Sequence, residues 1–450
     1  MPSVGIIGAG LAGCEAALTL ARQGIEATLY EMRPAINTTA HTSALPAELV
    51  CSNSFKSQEL PAALALLKEE LALLRSPILS CAKTTSIPAG KALAVDRKAF
   101  SEAVLKELLA RSCITIKTGE MSRPPAGHDF VILATGPLTS APMAEWLKKT
   151  FSSTSLYFYD AIAPIVSRES LNLEKVFFGS RWRPEENDYC NCPFTQEEYE
   201  RFYNALISAE TAPLHTGEEE RFFEACLPLE IIAQRGPLAM AYGPLKPVGF
   251  ADPHTGKRPF ALCQLRREDA AGNSFSLVAC QTRLTQPEQK RIFGMVPGLE
   301  AAEFLRFGSC HRNTYVDSPK LLSQDLSFKS MSSLFCAGQL CGNEGYVESI
   351  ATGQMAALFA LAKIQGKNIG CPPETTAMGS LVRYVTGSEL QPFTPTGFHF
   401  GLLPALPVTS RKLPKKERQM LLCNRALEDL KGWIQTVGER HKGFLFQIGV

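Results

Sequence analysis

The stretch Gly8-Ala9-Gly10-Leu11-Ala12-Gly13 constrains this chain more than any other, because it follows an apolar strand and opens a helix. In a G-x-G-x-x-G of this kind, Gly8 permits the tight turn and Gly10 lets a pyrophosphate approach the backbone. Gly13 lets the helix pack close to the strand. The free N–H groups and positive dipole at the start of that helix then face the phosphates. Glu31 closes the next predicted strand, where a carboxylate accepts hydrogen bonds from an adenosine ribose. Strand, turn, helix and acid in register predict a βαβ dinucleotide-binding unit over residues 3–32.

A chain of 450 residues is long enough for two or three packed units. Its formal charge of +2 excludes a globally basic body, so a nucleic-acid partner would be met by local patches. The 14 cysteines include no Cys-x-x-Cys, which removes the sequence support for zinc-ribbon and thioredoxin-type readings. The lone histidines His41, His215, His254, His311 and His399 have no metal-ligand spacing, and no metal is expected. The start of the chain lacks the basic and apolar regions of a signal peptide. Continuous apolar runs such as 356–362 fall short of the roughly 18–20 residues of a membrane span. A reducing, cytoplasmic setting without a membrane is the expectation.

Residues 34–58 form a polar, Ser- and Thr-rich stretch too long for a connector, and so predict a functional loop. Helices are predicted over 60–75 and 97–111, the second with Phe100, Val104, Leu105, Leu108 and Leu109 on one apolar face. Strands are predicted at 114–117 and 130–133. Texture changes from about 160 to 325, with more prolines, aromatics and basic residues and strand candidates at 260–265 and 274–279. From 333 the first texture returns as a strand, a Gly-rich turn and a helix through Lys363. The expected architecture is α/β: a discontinuous Rossmann-like FAD-binding domain over 1–200 and 326–450, with an inserted α+β domain at 201–325. After residue 411 the chain is first basic and then amphipathic and helical over 418–437.

Two further segments favour FAD over a free nicotinamide. Residues 130–137 are a buried strand ending in Ala-Thr-Gly, like the second strand of two-dinucleotide flavoproteins. Residues 334–353 resemble the C-terminal flavin motif of the same proteins. There Gly338 closes a strand, Gly342 and Gly345 form a backbone nest, and a helix N-terminus points at the flavin pyrimidine edge. No second G-x-G-x-x-G exists, so NAD(P)H would need a transient site. Two cysteines sit in polar contexts: Cys51, near Lys56 in the long loop, and Cys226, before a proline-marked turn. A nearby lysine favours a thiolate, but residue chemistry alone leaves each thiol equally open to a structural role. Basic residues gather at Lys257, Arg258, Arg266, Arg267, Lys290, Arg291 and Arg312, and again at 411–418. Such runs are often only solvated faces.

Taken in order, several segments carry a resemblance. They are residues 8–13, Ala40-His41 with Glu48-Leu-Val-Cys51-Ser-Asn-Ser, and Phe158-Tyr-Asp-Ala-Ile-Ala-Pro. They continue with Asn191-Cys-Pro-Phe-Thr, Phe222-Phe-Glu-Ala-Cys226, Gly243-Pro-Leu-Lys-Pro-Val-Gly, Arg312-Asn-Thr and Gly345-Tyr-Val-Glu-Ser. The chain resembles the folate- and FAD-dependent tRNA (uracil-5-)-methyltransferases, TrmFO. The resemblance implies that methylenetetrahydrofolate supplies a carbon, reduced FAD the electrons, and NAD(P)H regenerates the flavin. The implied product is 5-methyluridine at position 54 of the tRNA T loop. It also implies a thiolate adding to uracil carbon 6 and a base removing the carbon 5 proton. Those roles fall on Cys226 as nucleophile and Cys51 as base, with their exchange left open, and Tyr346 is implied to pack on the isoalloxazine. His41, by the same loop, is a candidate for flavin or folate contact.

The chain departs from the family pattern at Cys341 and Asn343, where threonine and valine are usual, and at His399, where asparagine is usual. These departures keep open the same chemistry on a ribosomal RNA uridine; a separate alternative, an NAD(P)H-dependent flavin oxidoreductase acting on a small molecule, would explain the FAD motifs alone. A non-methylating tRNA modifier of the carboxymethylaminomethyl-uridine group would be longer, and a flavin-binding RNA chaperone would leave the thiols idle.

Overall fold

Parallel pairing of Ser3–Ile7 with both Glu26–Glu31 and Phe130–Leu133 puts the first strand at the centre of a six-stranded sheet. Ile114–Thr118 extends it on one side and Met331–Cys336 on the other, both parallel, and Ser327–Phe328 closes the far edge antiparallel. This computed structural model describes residues 2–450 apart from 39, 152–155, 215–221, 223, 391, 408–412, 443 and 445–450.

The first helix, Leu11–Ala21, is buried along its whole length, its polar residues Glu15 and Thr19 included. It packs on the sheet beside the helix Tyr346–Ile364, which reaches the sheet as well. By length and composition that second helix could cross a membrane, yet 89% of its apolar window is buried inside the protein, as in a soluble core. The two helices touch at their backbones. A Cβ on Gly353 would stand 2.3 Å from the carbonyl oxygen of Ala12 and 2.7 Å from its Cα.

A second, wholly antiparallel sheet has six strands in the order Phe177–Phe178, Tyr189–Phe194, Ala261–Arg267, Ser274–Leu277, Ile165–Ser167, Phe304–Arg306. Its strands lie on both sides of residue 201. It packs with Gln196–Ile207 and Gln286–Phe293 around a core of its own. Chain enters and leaves this unit along a two-stranded antiparallel ribbon, Leu156–Ile162 with Ser309–Tyr315.

Most predicted elements form within a few residues of the expected bounds, including Arg97–Leu109 and Lys415–Arg440. The predicted apolar face of Arg97–Leu109 needs one correction. Phe100, Val104 and Leu108 are buried, but Leu109 is 70% exposed. At 3.6 residues per turn Leu109 falls about half a turn away from Phe100, on the solvent side.

Alanine at position 353 tests the helix contact. In a free helix, Gly→Ala is worth about 1 kcal/mol of added stability. Here the new methyl meets backbone that has little room to move, and overpacking costs about 1–3 kcal/mol. Gly353→Ala is expected to lower the thermal midpoint; a raised midpoint in a calorimetric scan would show that the helices separate at little cost.

Candidate active site

A cleft of about 1010 Å³, counting its open mouth, runs along the carboxyl edge of the parallel sheet. Gly8, Gly10, Leu11, Ala12, Glu31, Gly338 and Tyr346 line it. Each glycine of the first turn has its own task. Gly8 has φ +104°, and a Cβ there would lie 2.4 Å from the Ala134 carbonyl oxygen. A Cβ on Gly13 would lie 1.9 Å from the Gly8 carbonyl oxygen, so Gly13 serves packing and does not line the cleft. Gly10 faces space with no atom within 4 Å, the cradle a phosphate needs. In shape and donors the cleft fits a dinucleotide.

Glu31 is tied down at the cleft. Its carboxylate accepts from the Ala9 N–H at 2.9 Å and from the Arg33 N–H and Nε at 3.0 and 2.8 Å. Arg33 continues to Glu48 Oε2 at 3.2 Å. Glu48 in turn accepts from the N–H and hydroxyl of both Thr42 and Ser43, which gives the polar loop an internal frame. Burial alone would raise the Glu31 carboxyl, but the hydrogen bond and charge of Arg33 hold it below 4.5. His41 lines the same cleft, bonded to Thr38, and burial with the Arg33 charge lowers it to about 4.

The loop then delivers Cys51. Three consecutive carbonyls are held by guanidinium groups: Leu49 and Cys51 by Arg97, and Val50 by Arg306 at 2.8 Å. Arg97 is itself paired with Glu268 of the second unit. Beyond Cys51, the buried Asn53 donates to the Val95 and Arg267 carbonyls and accepts from Arg266. The Tyr346 hydroxyl accepts from the N–H groups of Cys51 and Ser52 at 2.9 and 3.1 Å. Tyr346 thus joins the start of the Tyr346–Ile364 helix to the thiol loop.

Cys226 arrives from the other side, on the short 3-10 turn Glu224–Cys226. Together with Asp160, on the ribbon strand Leu156–Ile162, it meets Cys51: both sulfurs and a carboxylate oxygen lie within 4.8 Å of one another. Both thiols are half-buried and reduced. Their environments differ. The hydrogen bond from Cys226 lowers Cys51 against the opposing pull of burial and Asp160, with Lys56 and Arg97 helping. Cys226 is pushed up by that same hydrogen bond to Cys51, by burial and by the Asp160 charge.

Other predicted residues lie elsewhere. Ala9 contributes its N–H to Glu31 and does not line the cleft. Gly342 and Gly345, at φ +86° and +120°, also lie off the lining and pack against Phe393 and Glu348. The two departures in that motif bond to each other, Asn343 Nδ2 to Cys341 Sγ at 3.3 Å, inside the core. His399 borders a separate open groove with Lys91 and Lys416. His254 meets the Val176 carbonyl at 3.3 Å, and His215 lies outside the described residues, as do Arg411 and Lys412. Of the basic residues that gather in the inserted segment of the sequence, several serve the protein itself. Arg266 and Arg267 bond Asn53 and Asn187, Arg291 pairs with Glu288, Lys290 lies over Phe307, and Arg312 stacks on Tyr157. Lys257, Arg258, Lys415 and Lys416 are exposed. Sequence reasoning missed Arg33, Arg97, Arg306 and Asp160; only the Phe158-Tyr-Asp segment had marked one of them.

Removing Arg33 would leave the buried Glu31 carboxylate without its counter-charge, a change that costs about 3–5 kcal/mol. A carboxyl held below its ordinary pKa stabilises the fold above that pKa, and loses its contribution as pH falls through the lowered value. Arg33→Met is therefore expected to be most destabilising near pH 7, with the difference from the parent shrinking below 4.5. Urea melts across pH check this; a pH-independent difference would contradict it.

Comparison with known proteins agrees with this geometry. Residues 3–368 match the family model described as glucose inhibited division protein A. The methylenetetrahydrofolate--tRNA-(uracil-5-)-methyltransferase TrmFO of Desulforudis audaxviator is 48% identical over 435 residues, covering 96% of this chain and 98% of that protein. The protein of the same name from Bacillus subtilis is 46% identical, covering 97% and 99%. Among solved structures, Aquifex aeolicus GidA superposes with a TM-score of 0.69 at 15% identity, over 99% of this chain and 75% of that one, a likeness of fold. At such identity and coverage, the chain belongs to the TrmFO family.

Proposed function

We propose that this chain forms 5-methyluridine in tRNA, at position 54 of the T loop, with methylenetetrahydrofolate as carbon donor. Bound FAD supplies the reducing electrons and NAD(P)H replenishes them. The observation that carries this reading is the convergence of Cys51 and Cys226, remote in sequence, beside a cleft that fits a dinucleotide. Uracil carbon 5 is a poor nucleophile until a thiolate adds at carbon 6, and that adduct then needs a base for the carbon 5 proton. Two thiols of unequal acidity meet both needs.

In this reading Cys226 adds to carbon 6 and Cys51 takes the carbon 5 proton. Lys56 and Arg97 favour the Cys51 thiolate, and the Tyr346 hydroxyl fixes its backbone. Glu31 receives the adenosine ribose, Gly10 and the Leu11–Ala21 helix N-terminus the pyrophosphate, and Gly338 and Tyr346 the flavin end. The discontinuous first unit carries the cofactor; the inserted unit carries the second thiol. A T-loop uridine must be turned out of its stack to reach the thiols. The exposed Lys257, Arg258, Lys415 and Lys416 are placed to neutralise backbone phosphates. A cytoplasmic setting follows from a tRNA substrate and free thiols. The relatives' names specify tRNA rather than ribosomal RNA. A small-molecule oxidoreductase would leave the thiol pair without a task.

Nucleoside mass spectrometry tests the proposal, after incubation of unmodified tRNA, and separately ribosomal RNA, with NAD(P)H and methylenetetrahydrofolate. Methylated uridine is expected in tRNA alone. Cys226→Ala is expected to bring the signal to background, and Cys51→Ala to lower it about 10²–10⁴-fold, the usual worth of a positioned base. Both variants should keep the flavin spectrum. Product confined to ribosomal RNA, or full activity in both variants, would defeat the reading.

A further inference from the structure

Two protons must be taken in the reaction proposed above, and Cys51 can hold only one of them. Cys226 stands as a thiol and must lose its S–H proton to become a nucleophile. The uracil then loses its carbon 5 proton. Were Cys51 to accept the first, it would be blocked for the second. The site therefore needs a second acceptor within reach of Cys226.

Asp160 occupies that place. A carboxylate oxygen lies within 4.8 Å of both sulfurs, and its neighbours Cys226 and, on the adjoining strand, Asn313 favour its charged form. Its Oδ1 is closed off from solvent and has no hydrogen-bond partner among the described residues, so the carboxylate beside the thiol pair keeps an acceptor position unused. We propose, resting on the function inferred above, that Asp160 is the base that takes the thiol proton from Cys226 as its sulfur bonds to uracil carbon 6. The S–H bond breaks and an O–H bond forms on Asp160. The sulfur pair makes the S–C6 bond, and the C5–C6 π pair moves toward the carbon 4 carbonyl as an enolate. When the adduct collapses, the sulfur leaves as thiolate and regains its proton from Asp160. The carbon 5 proton resides meanwhile on Cys51, so the carboxylate ends as it began.

The surroundings suit this exchange. The charged and titratable groups facing Asp160 are Cys51 and Lys56 from the long loop and the strand after it, and Cys226 from the 3-10 turn. His311, opposite it in the ribbon, and Glu344 join them among the described residues. Burial raises Asp160 to about 6, against the hydrogen bonds from Cys226 and Asn313 and the Lys56 charge, so it is a carboxylate at neutral pH and a better base than an exposed one. His311 is lowered to about 4 by burial and Arg306, and stays neutral there. The same three ligand-type atoms have a spacing that would suit a soft metal ion. Lys56 and Arg97 already supply positive charge at Cys51, which works against a cation.

The test separates thiol addition from methyl transfer. Addition at carbon 6 labilises the carbon 5 hydrogen, so exchange of that hydrogen with D₂O in bound tRNA, without folate, reads the step directly. The parent is expected to exchange with a rate that falls as pH drops below about 6. Asp160→Asn should exchange about 10²–10³-fold more slowly at neutral pH, with flavin spectrum and tRNA affinity unchanged. Its rate should climb about tenfold per pH unit toward the ordinary thiol range near 8.5, as hydroxide replaces the lost base. Asp160→Glu should restore part of the loss. Wild-type exchange in Asp160→Asn, or a loss that ignores pH and is not relieved by glutamate, would overturn the proposal. A parent that neither exchanges nor methylates would instead defeat the functional reading on which it rests.

Discussion

Arg97 directs one guanidinium at partners from separate stretches of chain: the carbonyls of Leu49 and Cys51, and the carboxylate of Glu268. The loop that carries Cys51 anchors Ala47, Leu49 and Phe55 in the main core, and this charged clamp with its companion from Arg306 fixes the carbonyls of residues 49–51 between those anchors. A guanidinium can serve such a purpose because it presents several donors in a rigid plane. Because Glu268 belongs to the inserted unit, the placement of Cys51 in the first unit depends on the docking of the second. Asn53, bonded to Val95 on one side and to Arg266 and Arg267 on the other, makes the same connection one turn later.

With the loop held, the electrostatics of the thiol pair follow from which charges face which sulfur. Cations lie on the Cys51 side and the Asp160 carboxylate beside Cys226. Two chemically identical side chains are thereby made unequal, one readily ionised and one held as a thiol. At the other end of the cleft, Arg33 keeps the buried Glu31 ionised, while the N–H groups and hydroxyls of Thr42 and Ser43 do the same for Glu48. In both places buried charge is tolerated because it is paired.

Much of the cofactor unit was legible from local pattern. The strand, turn and helix of residues 3–21 form as expected, because glycine geometry and hydrophobic periodicity act over a few residues. Where the reading slipped, the cause is also physical. Leu109 was assigned to a face by its apolar character although its angular position points outward. The helix Tyr346–Ile364 escaped notice as a long apolar segment, since its Glu348 and Gln354 interrupt the run, yet both are buried with the rest. The basic residues of the inserted unit could be a solvated face or an RNA surface by sequence alone; five of the seven engage the protein itself. Cys341 and Asn343, departures when read singly, form a bonded pair in the core.

Residues near one another in the chain determined the dinucleotide turn, its acid Glu31 and the polar contexts that made Cys51 and Cys226 candidates at all. Their meeting, and the presence of Asp160 beside them, was decided only by tertiary structure. Those three groups come from a loop, a short turn and a ribbon strand, and no periodicity links them. What joins them is the packing of two units and a set of long-range hydrogen bonds, through Arg97, Arg306 and Asn53, whose partners are mostly backbone carbonyls. A carbonyl is the same at every position of the chain, so the sequence bears no mark of which one will be held.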